Sequence, residues 1–408
     1  MKILVYHPTG NENVRALVKG LARHGSLQSF HTTVAVFNNS WYYKYLNGRL
    51  AKFKRRTYDC SIKNLTHCYP LEELLMFGGI KKWRGHKLSV AYIDFLVAKK
   101  VTKYIRKHHE EIDGVFCYPG HSAMVMSEAH KYGIPCFYEL TIAYYKNIWH
   151  TNEIERKSNP KWYGAVTLGK ESKDWAEEID KELALADKVI CASSYIKSTL
   201  LEYYVRESKD ILIVPYGCPK PTPKKYSSQL PIKLLYVGNF TQSKGLSYLF
   251  DAVDKLGGRV ELYMIGNGIL LNKQYKNHLD RYHLLGTMDH DKVLKEMSKA
   301  DVLVFPTLAD GFGMVVTEAM SQGTPVIASV NSCGRDIIKN NENGWLVPIQ
   351  NTEAIFSIIN NIANDTNIIE RYGEKALLTA KQNPWKKYED RITELILNSI
   401  NTTKTKRV

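Results

Sequence analysis

The chain has 408 residues, 44% of them hydrophobic, and 56 Lys+Arg against 41 Asp+Glu give a formal net charge of +15. The hydrophobic share excludes a disordered chain, and the length suits two domains better than one core. The charge is concentrated, because residues 1–110 carry 20 Lys+Arg against 6 Asp+Glu and the remainder carries 36 against 35. A basic first quarter on a neutral body implies one surface facing something anionic, and not a nucleic-acid coat. No nucleic-acid motif accompanies the charge. The run after Met1 is too short for a signal-peptide core, and no stretch approaches the ~18 apolar residues of a membrane span. Seven cysteines are scattered and never form C-x-x-C, so neither a disulfide framework nor a zinc site is indicated. A cytoplasmic, reduced protein is expected.

Residues Lys2–Tyr6 read as a buried first strand, Asn13–His24 as a helix closed by Gly25, and Thr32–Phe37 as a second strand. This β-α-β opening implies a parallel sheet with right-handed crossovers. The pattern recurs as strand Gly114–Tyr118, helix Ser122–Tyr132 and strand Cys136–Leu140. A helix ending near Ala186, strand Lys188–Ala192, a helix from Ser194 and strand Ile211–Val214 follow. Pro215, Pro219, Pro221 and Pro223 then crowd a polar stretch that reads as a linker. A second β-α series begins with strand Ile232–Val237 and helix Leu246–Leu256. It continues with strands Val260–Ile265 and Val302–Phe305, a helix near Met314–Gln322 and strand Pro325–Ser329. The expected fold class is α/β: two Rossmann-like domains facing each other across a cleft, one over 1–218 and one over 219–383. Doubly wound units bind ligands at the carboxyl ends of their strands. A final helix over 384–408 is expected to cross back to the first domain.

The segment from Asp310 to Met320, D-G-F-G-M-V-V-T-E-A-M, lies between a strand and a helix. Gly311 and Gly313 let the backbone approach a ligand, and the helix start with Met314 and Val315 offers free N–H groups for a diphosphate or sugar oxygens. Asp310 and Glu318 are acceptors for paired sugar hydroxyls. Gly238 permits a tight turn after its strand, and Lys244 can set a point charge beside the same phosphates. Ile265-Gly266-Asn267-Gly268 is a weaker strand-end turn.

These residues resemble the family 4 glycosyltransferases of GT-B fold, which move a sugar from a nucleotide donor with retention of configuration. The marks are V-G-x-x-x-x-x-K-G at Val237–Gly245, I-G-x-G at Ile265–Gly268 and A-D-V-x-x-x-P at Ala300–Pro306. The acidic-x7-Glu motif Asp310–Glu318, A-M-x-x-G-x-P-V at Ala319–Val326 and N-G-x-L-V at Asn343–Val347 complete them. The resemblance is clear over about 180–350 and fainter before it. It implies that Lys244, with the amides of Gly313, Met314 and Val315, neutralises the donor diphosphate. It further implies that Glu318 holds the ribose, that Asp310, Gly311 and Phe312 meet the transferred sugar, and that Met288 lies by the base. His121, opening a helix after a strand, would face the donor sugar, and Gly10 would touch the phosphates. The chain departs from the family in having Asp310 where Glu is usual and Asn239 where a basic residue is frequent.

Glu139 ends a strand on the cleft side and is a candidate to assist the acceptor hydroxyl. Aromatic and basic residues interleave over 41–58 and again over 74–84. Lys52, Lys54, Arg55, Arg56, Lys81, Lys82 and Arg84 are read as a patch meeting an anionic membrane. The expectation is a metal-independent glycosyltransferase with no cofactor. Its donor would be a nucleotide-sugar, UDP-linked first and GDP-mannose second, and its acceptor a cell-surface glycan or lipid-linked glycan. Two rivals remain open: a sugar-nucleotide epimerase on the same fold, and a non-catalytic binding subunit of a membrane glycan-assembly complex.

Overall fold

Short runs of fully buried aliphatic and aromatic residues, such as Gly114–Cys117, Cys136–Leu140, Val302–Phe305 and Val326–Ser329, form parallel strands covered on both faces. The computed structural model describes residues 1–167, 173–227, 229–271, 275 and 278–405, with side chains left aside at Arg49, Lys52, Leu271 and residues 403–405.

The first sheet runs in the order Ile211–Ile213, Lys188–Cys191, Cys136–Leu140, Gly114–Cys117, Ile3–Tyr6, Leu27–Thr32, Thr66–Cys68. The second runs His283–Gly286, Val260–Ile265, Ile232–Val237, Val302–Phe305, Val326–Ser329, Gly344–Val347. Every pairing in both is parallel. Ranked by chain order, each sheet reads 3-2-1-4-5-6, with a seventh strand on the first. That order reverses between the first and fourth strands, and ligands bind in the crevice at the carboxyl ends there. The loops concerned follow Tyr6 and Cys117 in one unit, and Val237 and Phe305 in the other.

The second strand is Leu27–Thr32 and not Thr32–Phe37 as the sequence suggests, and only Val36–Phe37 is extended, paired with Thr57–Tyr58 in a separate ribbon. Leu27–Thr32 hides its strand character because its polar residues are buried and satisfied within the fold. His31 shares hydrogen bonds with Tyr69 Oη at 2.9 Å and Ser29 Oγ at 3.0 Å. Helix Val90–His108 is not among the elements expected from the sequence, although Ser89, which accepts from the Tyr92 N–H at 3.2 Å, is a helix-start residue type. Among the described residues no helix is long and apolar enough to cross a membrane.

The chain crosses between the units in both directions. Helix Trp385–Thr405 lies along helix Glu12–Arg23, burying Ile392, Ile396 and Ile400 in the first unit's core and pairing Arg23 with Glu389 and Asp390. In return, helices Tyr145–Ser158 and Pro160–Tyr163 reach the second unit. There the buried Glu155 accepts from Gln242 Nε2 at 2.8 Å, Tyr248 Oη at 2.7 Å and Gln350 Nε2 at 2.8 Å. Trp162 stacks on Tyr275 with centroids 5.4 Å apart. The two units are therefore joined by helices that cross in both directions.

Candidate functional site

The strand-end loops of the two sheets enclose a cleft of about 1300 Å³. The first unit lines it with Thr9–Asn13, Arg15, Phe53–Thr57 and Thr141, the linker with Tyr216, and the second unit with Gly238, Asn239, Lys244, Met288–His290, Asp310, Phe312–Val315 and Glu318.

On the first wall, the turn after Ile3–Tyr6 is shaped by His7. Its buried ring stands edge-on to Tyr118, and Nδ1 accepts the N–H groups of Thr9 at 3.1 Å and Gly10 at 2.7 Å. Burial pushes its pKa down to about 4, which keeps that nitrogen an acceptor. Gly10 has φ of +66°, and a Cβ there would lie 1.5 Å from the Tyr58 hydroxyl. Only glycine lets this loop close over Tyr58.

On the second wall, helix Met314–Ser321 starts at the cleft from Gly313, whose φ of +84° turns the chain into the helix. Met314 and Val315, whose amides open the helix ahead of the Val316 N–H that the Gly313 carbonyl accepts at 2.9 Å, line the cavity. Lys244 Nζ donates to Asp310 Oδ2, and Asp310 Oδ1 accepts the Phe312 N–H at 3.2 Å. Glu318, 7% exposed, shares a hydrogen bond between Oε1 and His290 Nε2 at 3.0 Å. That bond raises the His290 pKa above its usual 6.5. Glu12 faces the same pair from the first unit, and burial raises its carboxyl. Both carboxylates singled out by the motif thus have a side-chain partner within the second unit, Lys244 for Asp310 and His290 for Glu318.

The structure brings together Gly10, Gly238, Lys244, Met288, Asp310, Phe312, Gly313, Met314, Val315 and Glu318. Other expected residues stand elsewhere. Gly311 is an inter-unit contact: a Cβ would lie 1.8 Å from the Thr141 carbonyl oxygen, and its own carbonyl accepts from Ser193 Oγ at 2.7 Å. Gly266 packs against the Gly238 carbonyl, 1.9 Å from where its Cβ would be, and is absent from the cleft lining. His121 is also outside that lining. It is held by Asp94, whose Oδ2 lies 3.1 Å from the His121 N–H and 3.2 Å from Nδ1, and this bond raises its pKa. Glu139 is fully buried behind the cleft floor. Its Oε1 accepts from Asn13 Nδ2 at 3.1 Å and from the Tyr216 hydroxyl, and burial pushes its pKa up to about 7. Asn13 and Tyr216 separate it from an acceptor.

The expected membrane patch divides. Lys54, Arg55 and Arg56 line the cleft, and Arg56 is clamped by Glu73 at 2.6 and 2.7 Å. Lys54 and Arg55 are exposed at the rim of the cleft, where the chain returns against the Gly10 turn, and Arg56 is half-buried. Lys81, Lys82 and Arg84 stay on the exposed surface, and the Lys52 side chain lies outside the described residues. His130, Cys136 and Asp187 have ligand atoms close enough for a metal. They sit at the opposite ends of the strands from the cleft, burial raises the Cys136 thiol well above its usual pKa, and Asp187 already accepts the Cys136 N–H at 2.7 Å.

Comparison with known proteins follows this geometry. Residues 231–365 match the family described as Glycosyl transferases group 1. HepE of Anabaena, solved in complex with UDP-glucose, aligns over 98% of this chain and 100% of its own with a TM-score of 0.61 at 14% identity. The chain has the GT-B fold. An uncharacterized glycosyltransferase of Methanocaldococcus jannaschii is 34% identical over 208 residues, 50% of this chain and 57% of that protein. A phosphatidyl-myo-inositol mannosyltransferase of Mycolicibacterium smegmatis is 24% identical over 240 residues, 57% of this chain and 56% of that protein. The chain spans about half the length of the curated relatives it matches.

Within the GT-B frame, the motif residues of the second unit were legible because they follow strands that were themselves legible. His290, Glu12 and His7 were not. His290 lies 28 positions before its partner Glu318, a separation with no periodic meaning. Its one available sign is its place at the start of helix His290–Lys299, two residues after Met288.

Proposed function

We propose that the chain is a retaining, nucleotide-sugar-dependent glycosyltransferase. The donor lies on the second unit and the acceptor on the first. The observation that carries this reading is the convergence, in one cleft, of Lys244, the open amides of helix Met314–Ser321 and the carboxylates of Asp310 and Glu318. A diphosphate suits the amides and Lys244, and ribose hydroxyls suit Glu318. Donor binding then exchanges internal partners: phosphate takes Lys244 from Asp310, and ribose takes Glu318 from His290. This releases Asp310 for the transferred sugar.

In the reaction the bond from the sugar's anomeric carbon to the diphosphate breaks, and the acceptor oxygen bonds that carbon on the same face. The acceptor proton leaves on the departing phosphate. Lys244 and the helix amides stabilise the charge that develops there, without a metal ion. His121, held in place by Asp94, is assigned to the sugar's far side on closure. Closure over the cleft excludes water and limits donor hydrolysis.

A UDP-sugar is the favoured donor, supported by the HepE complex with UDP-glucose. The acceptor is a lipid-linked or cell-surface glycan, supported by the phosphatidyl-myo-inositol mannosyltransferase relatives and by a lipopolysaccharide core glycosyltransferase of Rhizobium meliloti. The enzyme would work at the cytoplasmic face of a membrane. Trp41, Tyr45, Leu71, Leu74 and Ile80 are exposed apolar residues, and the exposed cations Lys81, Lys82 and Arg84 follow Ile80 in the chain. A donor screen read by nucleotide release tests the reading. Conversion of the donor without acceptor would identify an epimerase instead, absence of donor binding a non-catalytic subunit, and loss of transfer in EDTA a metal-dependent reaction.

A further inference from the structure

A second cavity, of about 460 Å³, opens behind the linker on the side away from the cleft. Its walls come from both units. Arg335, Lys339 and Lys375 belong to the second unit, while Lys387 and Arg391 stand on the final helix that packs on the first. Two carboxylates also line it. Asp336 is committed to the Ser194 N–H at 2.8 Å, and Glu342 lies 3.9 Å from Lys339. Among the described residues Lys375, Lys387 and Arg391 have no carboxylate partner within ion-pair distance, and Lys387 donates only to Gln382 O and Asn383 Oδ1, each at 3.1 Å. The cavity is within the size range of small-ligand sites, and these three exposed cations line it from two successive helices.

Tyr216 lines both this cavity and the cleft. Its ring packs on Phe312 at 4.7 Å, and its hydroxyl donates to Glu139. We infer that the rear cavity is a second ligand site, for a compact phosphorylated anion, and that its occupancy fixes the two units relative to one another. The anion bridges Lys375 on one unit to Lys387 and Arg391 on the other. It therefore binds most tightly to the one disposition that brings them together, and differential affinity of that kind shifts a conformational equilibrium.

The test uses the full chain carrying Lys244→Ala, which removes the lysine from the cleft, and inorganic pyrophosphate as the probe in calorimetric titration. Pyrophosphate binding to this variant is expected to include a component at the rear cavity that is tighter than the binding of inorganic phosphate, beside whatever the amides and basic wall of the cleft retain. Adding Lys375→Gln and Arg391→Gln is expected to weaken it at least about tenfold. No binding to the Lys244→Ala chain, or equal binding after the two further substitutions, overturns the site. If the combined variant misfolds, Lys375→Gln alone in the same background is read in the same way. Amide exchange in residues 213–218 is expected to slow with pyrophosphate bound, and unchanged exchange at saturation overturns the coupling. Loss of glycosyl transfer in the cleft variants bears on the proposed function and leaves this result intact.

Discussion

The two units share one strand order and present opposite surfaces to the cleft between them. The second unit faces it with tight turns taken directly off its strands, and its charges are paired: Lys244 with Asp310, His290 with Glu318. The first unit faces it partly with the excursion between strands Leu27–Thr32 and Thr66–Cys68, built of 3-10 turns and two-residue strands. On this wall Arg15, from helix Glu12–Arg23, and Lys54 and Arg55, from the excursion, have no carboxylate partner within ion-pair distance among the described residues. A paired wall is an exchangeable one, since a ligand of matching charge swaps one partner for another at little desolvation cost. An unpaired basic wall is a standing attraction for whatever anion arrives. The same topology thus supplies a selective side and a collecting side.

The comparison breaks first at the selective side. Lys244→Ala should lower kcat by about 10²–10³, the size found for removing one preorganised donor, and Glu318→Ala, which removes the acceptor for the ribose, should lower kcat/KM chiefly through KM, both while leaving the far-ultraviolet circular dichroism unchanged. Wild-type kcat/KM in either would remove that residue from the site.

The floor beneath the collecting side comes next. Burial raises the folded Glu139 pKa from 4.5 to about 7, so the folded chain holds a proton there that the unfolded chain has released. Stability should therefore fall as pH rises through that window, by about 3 kcal/mol if the full shift is realised. Glu139→Gln should flatten this part of the curve in denaturant titrations from pH 4.5 to 7.5. An unaltered slope would mean that the carboxyl is not the group titrating.

A smaller effect is expected from Lys54→Gln with Arg55→Gln. If these residues gather an anionic acceptor or headgroup, affinity for anionic vesicles should drop by about 1 kcal/mol per charge at low salt, and donor affinity should not change. A matching loss of donor affinity would show that the two walls are not separate in function.

The smallest effect concerns His290. Glu318 raises its folded pKa above 6.5, so the pair's contribution is complete below that value and disappears as pH rises through the raised one. Glu318 becomes free over the same window, and donor affinity should increase there by a few-fold, the modest size reflecting a half-exposed imidazole. In His290→Gln the rise should vanish. A pH-dependent increase that survives the substitution would assign it to another group.

What could be read in advance follows the same division. Strands Cys136–Leu140, Ile232–Val237, Val260–Ile265 and Val302–Phe305 were placed at their observed ends, because each is a short, mostly apolar run bounded by turn residues, broken at most by one charged residue (Glu139, Lys233 or Glu261). Asp310, Lys244 and Glu318 follow such strands at short, fixed distances. Leu27–Thr32 escaped because Ser29 and His31 find their partners inside the fold. The cleft position of Lys54–Arg56 escaped because it depends on Tyr58 lying against Gly10, a contact between residues far apart in the chain. A basic run in isolation gives no sign of which way it faces.

The helix Trp385–Thr405 has a consequence for the order in which this protein is made. Ile392, Ile396 and Ile400 complete the core of a unit whose strands were synthesised first. A ribosome that has translated the whole first sheet has still not delivered the side chains that close its outer face. The first unit must wait, incompletely packed, until the second has emerged. Protection of the earliest part of the nascent chain should therefore arrive with the last part, so that both halves mature together.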